Sequence, residues 1–254
     1  MFKSSLGEMF MELYRYISYE LFKDMIDKKE LYFVNPFKSW KDEEEGFLYR
    51  KAQEITKPKE IENSIDGSYA VKNLISKQLK NGGIYINKES NIVLDWFGMR
   101  CQSWCQEKNS FEMWKVYSYD KCAISIAVDS AKLLQLHYGK HKVEGFKVKY
   151  EDELSFNHEL KKAIGRNNEF YIASILQTKR SKFSFENEYR VYVILLDGEG
   201  RYDGEKQHDG IKVKIDENMS SFINGVYCHP EATDGFKKEL KEYCKEHNLK
   251  LLGI

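Results

Sequence analysis

The sequence predicts an α+β fold, a mixed and mainly antiparallel sheet with flanking helices, organised as a single domain over residues 1–254. Three observations lead there. Strand-type alternation and helix-type spacing are interleaved along the chain without a regular βαβ period. The composition, 42% hydrophobic and 14% aromatic beside 31% charged residues, supplies one large core and is unlike that of a disordered chain. Late in the chain, Ser181 to Leu196 reads SKFSFENEYRVYVILL, an alternating run that enters an apolar strand.

The elements follow in order. LYRYI (Leu13 to Ile17) is a β-prone run ending at Ser18, a good N-cap, after which Leu21, Phe22, Met25 and Ile26 fall at helical spacing. LYFV (Leu31 to Val34) predicts a second strand, stopped by Asn35-Pro36. Residues 41–90 form a charged excursion that holds DEEEG and a helical pattern from Tyr69 to Leu79 closed by Gly82-Gly83. MRCQSWCQ and KCAISIAV predict strands around a short amphipathic helix, SFEMWKVYS, and SAKLLQLH predicts a further short helix. VEGFKVKYED reads as a strand, Asn157 to Thr178 as the longest helical pattern, and the run from Ser181 as one continuous strand. After a Gly- and Asp-rich turn come the strands IKVKI and GVYCH, a helix from Asp234 to His247, and the final strand LKLLGI.

Lys plus Arg equals Asp plus Glu at 40 each, so no net field draws the whole chain to nucleic acid or to an anionic membrane. The apolar stretches fall far short of the roughly 20 residues that cross a bilayer, and MFKSSLGEMF lacks a signal-peptide core, so a cytoplasmic, membrane-free protein is expected. The five cysteines suit a reducing compartment and read as buried free thiols. Cys101 with Cys105, or Cys228 with His229, lacks the second ligand pair a zinc site needs, so no metal site is assigned. P-loop, GxGxxG, GxSxG and HExxH patterns are absent from the sequence, and its six histidines have no nucleophile partner in the pattern.

The chemistry-bearing feature is the alternation of Glu186, Glu188 and Arg190 on one face of the predicted strand. On a strand, residues two apart lie about 6–7 Å from each other, so the two carboxylates would act on one small object. The structural alternative is an ion pair between Glu188 and Arg190 on a solvated strand face. Lys179, Arg180 and Lys182, just before it, can meet phosphate groups or simply end a helix favourably. Met113 and Trp114 read as packing residues, while Tyr117 and Ser118 end that helical face at a candidate pocket wall.

Four blocks carry a resemblance to a known family. LYRYISYELFKDMIDKKELYFVNPFKSWKDEEEG, SWCQEKNSFEMWKVYSYDKCAISIAVD, KRSKFSFENEYRVYVI and INGVYCHPEATDGFKKELKEYC together resemble the bacterial and phage family DUF2971, over nearly the whole chain outside 41–90. Trp104-Cys105-Gln106 stands where the family usually has Cys-Phe-Ser, Cys122 stands for a customary Gly, and the Asn-Asp-Pro after the second strand is missing. The arrangement is in turn similar to that of ADP-ribosyltransferase-like domains, some of which belong to toxin systems.

That similarity implies NAD as substrate and a macromolecular acceptor, nucleic acid or protein, in a toxin or phage-defence setting. It assigns Glu188 as the carboxylate facing the ribose, Glu186 as the group that orients the acceptor or takes its proton, and Arg190 as the residue that holds Glu188 ionised. Arg15 would bind the pyrophosphate, Tyr16 would stack on nicotinamide, and Tyr117 and Ser118 would complete the pocket. Two other readings remain open on the sequence: a non-catalytic recognition module of a defence system, and a metal-dependent nuclease that uses Glu186, Glu188 and further acids.

Overall fold

The computed structural model describes residues 11–36, 85–86, 92–93, 99–118, 121–152, 177–195 and 210–253. The helical patterns at 69–79 and 157–176 and nearly all of the 41–90 excursion lie outside the described residues; at its end, β3 (Tyr85–Ile86) pairs with β4 (Ile92–Val93).

Strand β1 (Glu12–Ser18) runs into helix α1 (Tyr19–Lys28), and the turn between them is set by Ser18, whose side chain accepts the Leu21 N–H at 3.3 Å. Tyr19, Phe22, Met25 and Ile26 form the buried stripe of α1, whereas Leu21, expected on that stripe, is exposed. Its position one residue ahead of Phe22 turns it outward at 100° per residue. Lys29, left-handed at φ 50°, ends the helix and starts β2 (Glu30–Val34).

The remaining strands are β5 (Met99–Cys105), β6 (Ala123–Asp129), β7 (His137–Tyr138), β8 (His141–Lys142), β9 (Glu144–Lys147), β10 (Lys149–Glu151), β11 (Thr178–Arg180), β12 (Glu188–Ile194), β13 (Gly210–Lys214), β14 (Gly225–Cys228) and β15 (Leu251–Gly253). Helices α2 (Phe111–Tyr117), α3 (Ser130–Gln135), α4 (Met219–Phe222) and α5 (Asp234–Glu246) intervene. The class is therefore α+β, as expected, with parallel pairing at β14–β15 and β10–β11 and antiparallel pairing along the rest of the main sheet.

Nine of the described strands form one sheet with a branch at β5. One edge of β5 pairs along its whole length with β12, which pairs onward with β9. Its other edge is shared: β1 meets it at Tyr14↔Cys105, and β2 meets it at Val34↔Cys101. One limb continues β1, β6, β14, β15, and the other continues β2, β13. Between the two limbs the sheet forks.

The main core lies on one face, where α1 and α5 pack Phe22, Ile26, Phe236 and Leu240 against Phe33, Trp104, Ile126 and Val191. Each such side chain, fully withdrawn from water, contributes about 1.5–3 kcal/mol. The other face carries a smaller cluster of Tyr14, Tyr16, Met113, Trp114 and Tyr227 beneath α2. Trp114 meets Tyr16 edge to face at 4.8 Å, so the packing role expected for Met113 and Trp114 holds.

The run from Ser181 is not one strand. Ser181–Glu186 forms a 3-10 turn, Asn187 follows in the left-handed region at φ 39°, and β12 starts only at Glu188. Asn tolerates that backbone better than other non-glycine residues, and here it breaks the extended path. VEGFKVKYED likewise divides at Val148, whose N–H donates to Glu188 O at 2.9 Å and joins β12 to the start of β10.

Candidate functional site

The fork opens into a cleft of about 280 Å³. Its floor is Cys101 to Cys105 of β5, one wall is Tyr14 to Tyr16 of β1 with Met113 and Tyr117 of α2, another is Tyr32 and Val34 of β2, and Glu186 and Glu188 close it from the β12 side. Five of the seven residues singled out from the sequence, Arg15, Tyr16, Tyr117, Glu186 and Glu188, therefore meet in one place. Arg190 lies just behind, on Glu188, and Ser118 lies apart from the cleft lining.

Arg15 projects where β1 leaves β5, and its Nη1 donates to Ser103 O at 2.8 Å. Among the described residues no carboxylate pairs with it. Burial lowers its pKa to about 10, with only the nearby Tyr117 acting the other way. A guanidinium so desolvated is stabilised by any anion that enters.

Glu188 is 3% exposed and Arg190 1%, so the charged face of this strand is not solvated. The sheet explains why: β5 and β9 flank β12, and β10, β11 and the 3-10 turn assemble around its first residues. Arg190 grips Glu188 with both branches, Nε to Oε1 at 2.6 Å and Nη2 to Oε2 at 2.9 Å. Burial alone would raise this carboxyl, but the charge and hydrogen bonds of Arg190, helped by Lys179 and the Ser103 hydroxyl, hold it down at about 2. The Glu188 N–H in turn donates to the Tyr150 hydroxyl at 2.8 Å.

Glu186 does not share a strand face with Glu188, because it ends the 3-10 turn. The two carboxylates are nevertheless brought together by Lys179 of β11, whose Nζ stands 2.6 Å from Glu186 Oε2 and 3.4 Å from Glu188 Oε2. Lys179 is thus buried inside the site, and its place beside a phosphate-binding cluster is corrected. Of the cluster's other members, Lys182 is exposed, and both Arg180 and Lys182 lie near the Phe183 ring.

Tyr16 is buried and its hydroxyl is committed, accepting the Ser110 N–H at 2.9 Å and donating to Glu107 O at 3.2 Å. It pins the loop between β5 and α2, and its ring is engaged by Trp114. Tyr117, by contrast, stands half exposed at the rim; burial and then the negative Glu186 and Glu188 raise its pKa. Ser118 caps the end of α2 and accepts the Ala123 N–H at 3.3 Å, which occupies it structurally.

Cys105 lines the cleft as a free thiol that burial pushes up to about 11, so at neutral pH it is protonated and a poor nucleophile. Both oxygens of Glu188 are held by Arg190, so a divalent cation there would have to displace a guanidinium. Tyr32, Gln102, Ser103 and Tyr150 were not distinguished in the sequence. Each sits within ordinary strand alternation, and only long-range pairing brings Tyr32, Gln102 and Ser103 to the cleft and Tyr150 behind it, against the Glu188 N–H.

Residues 113–191 match the model of DUF2971, a protein of unknown function, and the segment carries Tyr117, Lys179, Glu186, Glu188 and Arg190. No curated protein matches the chain.

Proposed function

Starting from a chain whose residues 113–191 match the DUF2971 family model, we propose that the cleft uses NAD to transfer ADP-ribose to a macromolecule, nucleic acid or protein, in a toxin or phage-defence setting. One observation carries the reading. Arg15, Tyr117, Glu186 and Glu188, drawn from four separate elements, line a single cleft, with a cation that meets no acid partner among the described residues at one side and two carboxylates at another.

The chemistry fits the charges. The bond between ribose C1′ and the nicotinamide nitrogen breaks, its electron pair leaves with nicotinamide, and positive charge develops on the ribose. A carboxylate fixed as an anion next to that carbon gains attraction as the charge grows, which is catalysis by differential binding. Glu188 is such an anion, and its 3.4 Å contact to Lys179 is the weakest it makes with a cation, the one a ribose hydroxyl would replace. The acceptor's nucleophilic atom then bonds to C1′ and its proton passes to Glu186. Arg15 takes the pyrophosphate, relieving its own desolvation.

The size of the cleft limits what is enclosed. A volume of about 280 Å³ lies just below the span of ordinary ligand sites, roughly 300–1,000 Å³. It encloses the reacting ring and ribose and leaves the adenosine end outside. Tyr117, half exposed at the rim, is placed to meet the ring, whereas the engaged Tyr16 acts as wall.

The test is nicotinamide release, with mass analysis of protein, DNA and RNA from a cell extract incubated with labelled NAD. Wild type labels an acceptor, and Glu188→Gln, with unchanged near-UV circular dichroism, loses roughly 10²–10³-fold in rate. A wild-type protein that neither binds nor consumes NAD in that extract overturns the proposal. A partner retained equally by Glu188→Gln would point to a recognition module, and Mg²⁺-dependent cleavage of nucleic acid without NAD would point to a nuclease.

A further inference from the structure

We infer that the acceptor is a single-stranded nucleic acid, seated on the open face of β2 and β13 with one base against the Tyr32 ring and its phosphates at Lys212 and Lys214. Its role as acceptor rests on the transfer reading given above. The surface and its ligand do not.

Strand alternation builds the surface. Leu31, Phe33, Ile211 and Val213 enter the main core, so Glu30, Tyr32, Gly210, Lys212 and Lys214 project from the opposite face, and Tyr32 is shared with the cleft wall. On the β1 limb this face is covered by α2. On the β2–β13 limb it is open: Tyr32 is 47% exposed, and the side chains of Lys212 and Lys214 are 58% and 67% exposed.

Tyr32 is held as a platform. Its ring leans over Gly210, where a Cβ would stand 2.5 Å from the ring Cζ, so main chain backs it on one side. Its carbonyl accepts from Gln102, but among the described residues its hydroxyl makes no hydrogen bond. The other exposed aromatic rings among the described residues, Phe111 and Tyr117, both belong to α2, which forms another wall of the cleft. Exposed rings are thus gathered about one mouth.

Lys212 stands directly across the ladder from Tyr32, and Lys214 directly across from Glu30. Glu30 meets both ammonium groups, at 3.5 Å and 2.6 Å, so one positive charge is left over. Such exposed pairs are weak, and a phosphate can draw Lys212 from its longer contact. A ring with a cation about 5 Å to its side fits the base and phosphate of one nucleotide. Stacking accepts every base but needs it unpaired, which selects single strands over duplex. The chain as a whole is neutral, so attraction to a polyanion has to come from a local surface of this kind.

The experiment is fluorescence anisotropy of the full chain with a labelled single strand of about 12 nucleotides and mixed sequence, as DNA and as RNA, in about 50 mM salt without NAD. Wild type binds at least one of the two, and binds the matching duplex about tenfold more weakly or worse. Tyr32→Leu weakens binding about tenfold or more, whereas Tyr32→Phe stays within about twofold, which separates stacking from the hydroxyl. Lys212→Met flattens the slope of log affinity against log salt by about 0.7, the share of one phosphate contact on a single strand, while Lys241→Met on α5 leaves it unchanged. A wild type that binds neither strand overturns the inference with no variant needed. So does equal binding of duplex, a Tyr32→Leu that binds like wild type, or displacement of the strand by AMP at the same nucleotide concentration, which would make the platform a mononucleotide site. Strand binding without NAD turnover retires the transfer and keeps the surface. NAD-dependent labelling confined to protein, with no strand bound, keeps the transfer and overturns this inference.

Discussion

Replacing Arg190 by Met removes the principal cation from a carboxylate that the fold has already dehydrated. Glu188 titrates at about 2 in the folded protein against about 4.3 in an unfolded chain, and each unit is worth about 1.4 kcal/mol. The paired carboxylate therefore contributes about 3 kcal/mol at neutral pH. Because the folded value is the lower one, this contribution is complete above about pH 5 and is lost as pH falls towards 2. In Arg190→Met the carboxylate keeps only the long Lys179 contact and the Ser103 hydroxyl, and breaking such a buried pair costs about 3–5 kcal/mol. Urea unfolding at pH 7, with a slope of about 1–3 kcal/mol per molar, reads this as a midpoint lowered by a molar or more. At pH 4 the loss shrinks, since the carboxyl can then be protonated at little cost. A loss under about 1 kcal/mol at pH 7, or an equal loss at both pH values, refutes the reasoning.

Gly210→Ala places a methyl 2.5 Å from the Phe33 carbonyl oxygen and from the Tyr32 ring, and the backbone contact cannot yield; it destabilises by about 1–3 kcal/mol in the same unfolding assay. Tyr16→Phe strips the Ser110 N–H of its acceptor and the Glu107 carbonyl of its donor, for a loss of about 1–3 kcal/mol by thermal unfolding. An unchanged melting temperature there would mean that the loop between β5 and α2 is not pinned by the hydroxyl.

Local pattern made much of this fold legible. Ser18, Ser110 and Thr233 cap helices that begin where capping chemistry puts them, and the apolar runs at Leu13, Leu31 and Ala123 became strands. The failure at Ser181–Asn187 is instructive, because polar and aromatic residues alternate there as on a strand. A tight 3-10 turn used the same residues differently, and Asn187 was the available signal for a left-handed break. Glu188 and Arg190 looked solvated because charge usually is. Their burial comes from strands 40 to 90 residues earlier in the chain, β9 and β5, pairing on either side. For the same reason Lys179 looked like a helix-end cation: the parallel β10–β11 ladder that carries it into the site is three residue pairs long and leaves no periodic trace in the sequence.

The fork at β5 has a consequence for how a ligand would be felt by the whole molecule. Sheet edges usually lie at the periphery, where they invite other chains and must be guarded. Here a stretch of edge from Gln102 to Trp104 is enclosed in the middle of the sheet, because β1 pairs with β5 at Cys105 and β2 pairs with it at Cys101. Side chains serve the main chain there, with Arg15 donating to Ser103 O and Gln102 donating to Tyr32 O. A molecule seated in that gap would act as a cross-brace between two limbs of the sheet. Its occupancy would then be legible as mechanical stiffening of β1 against β2, in slowed amide exchange on strands that it never touches.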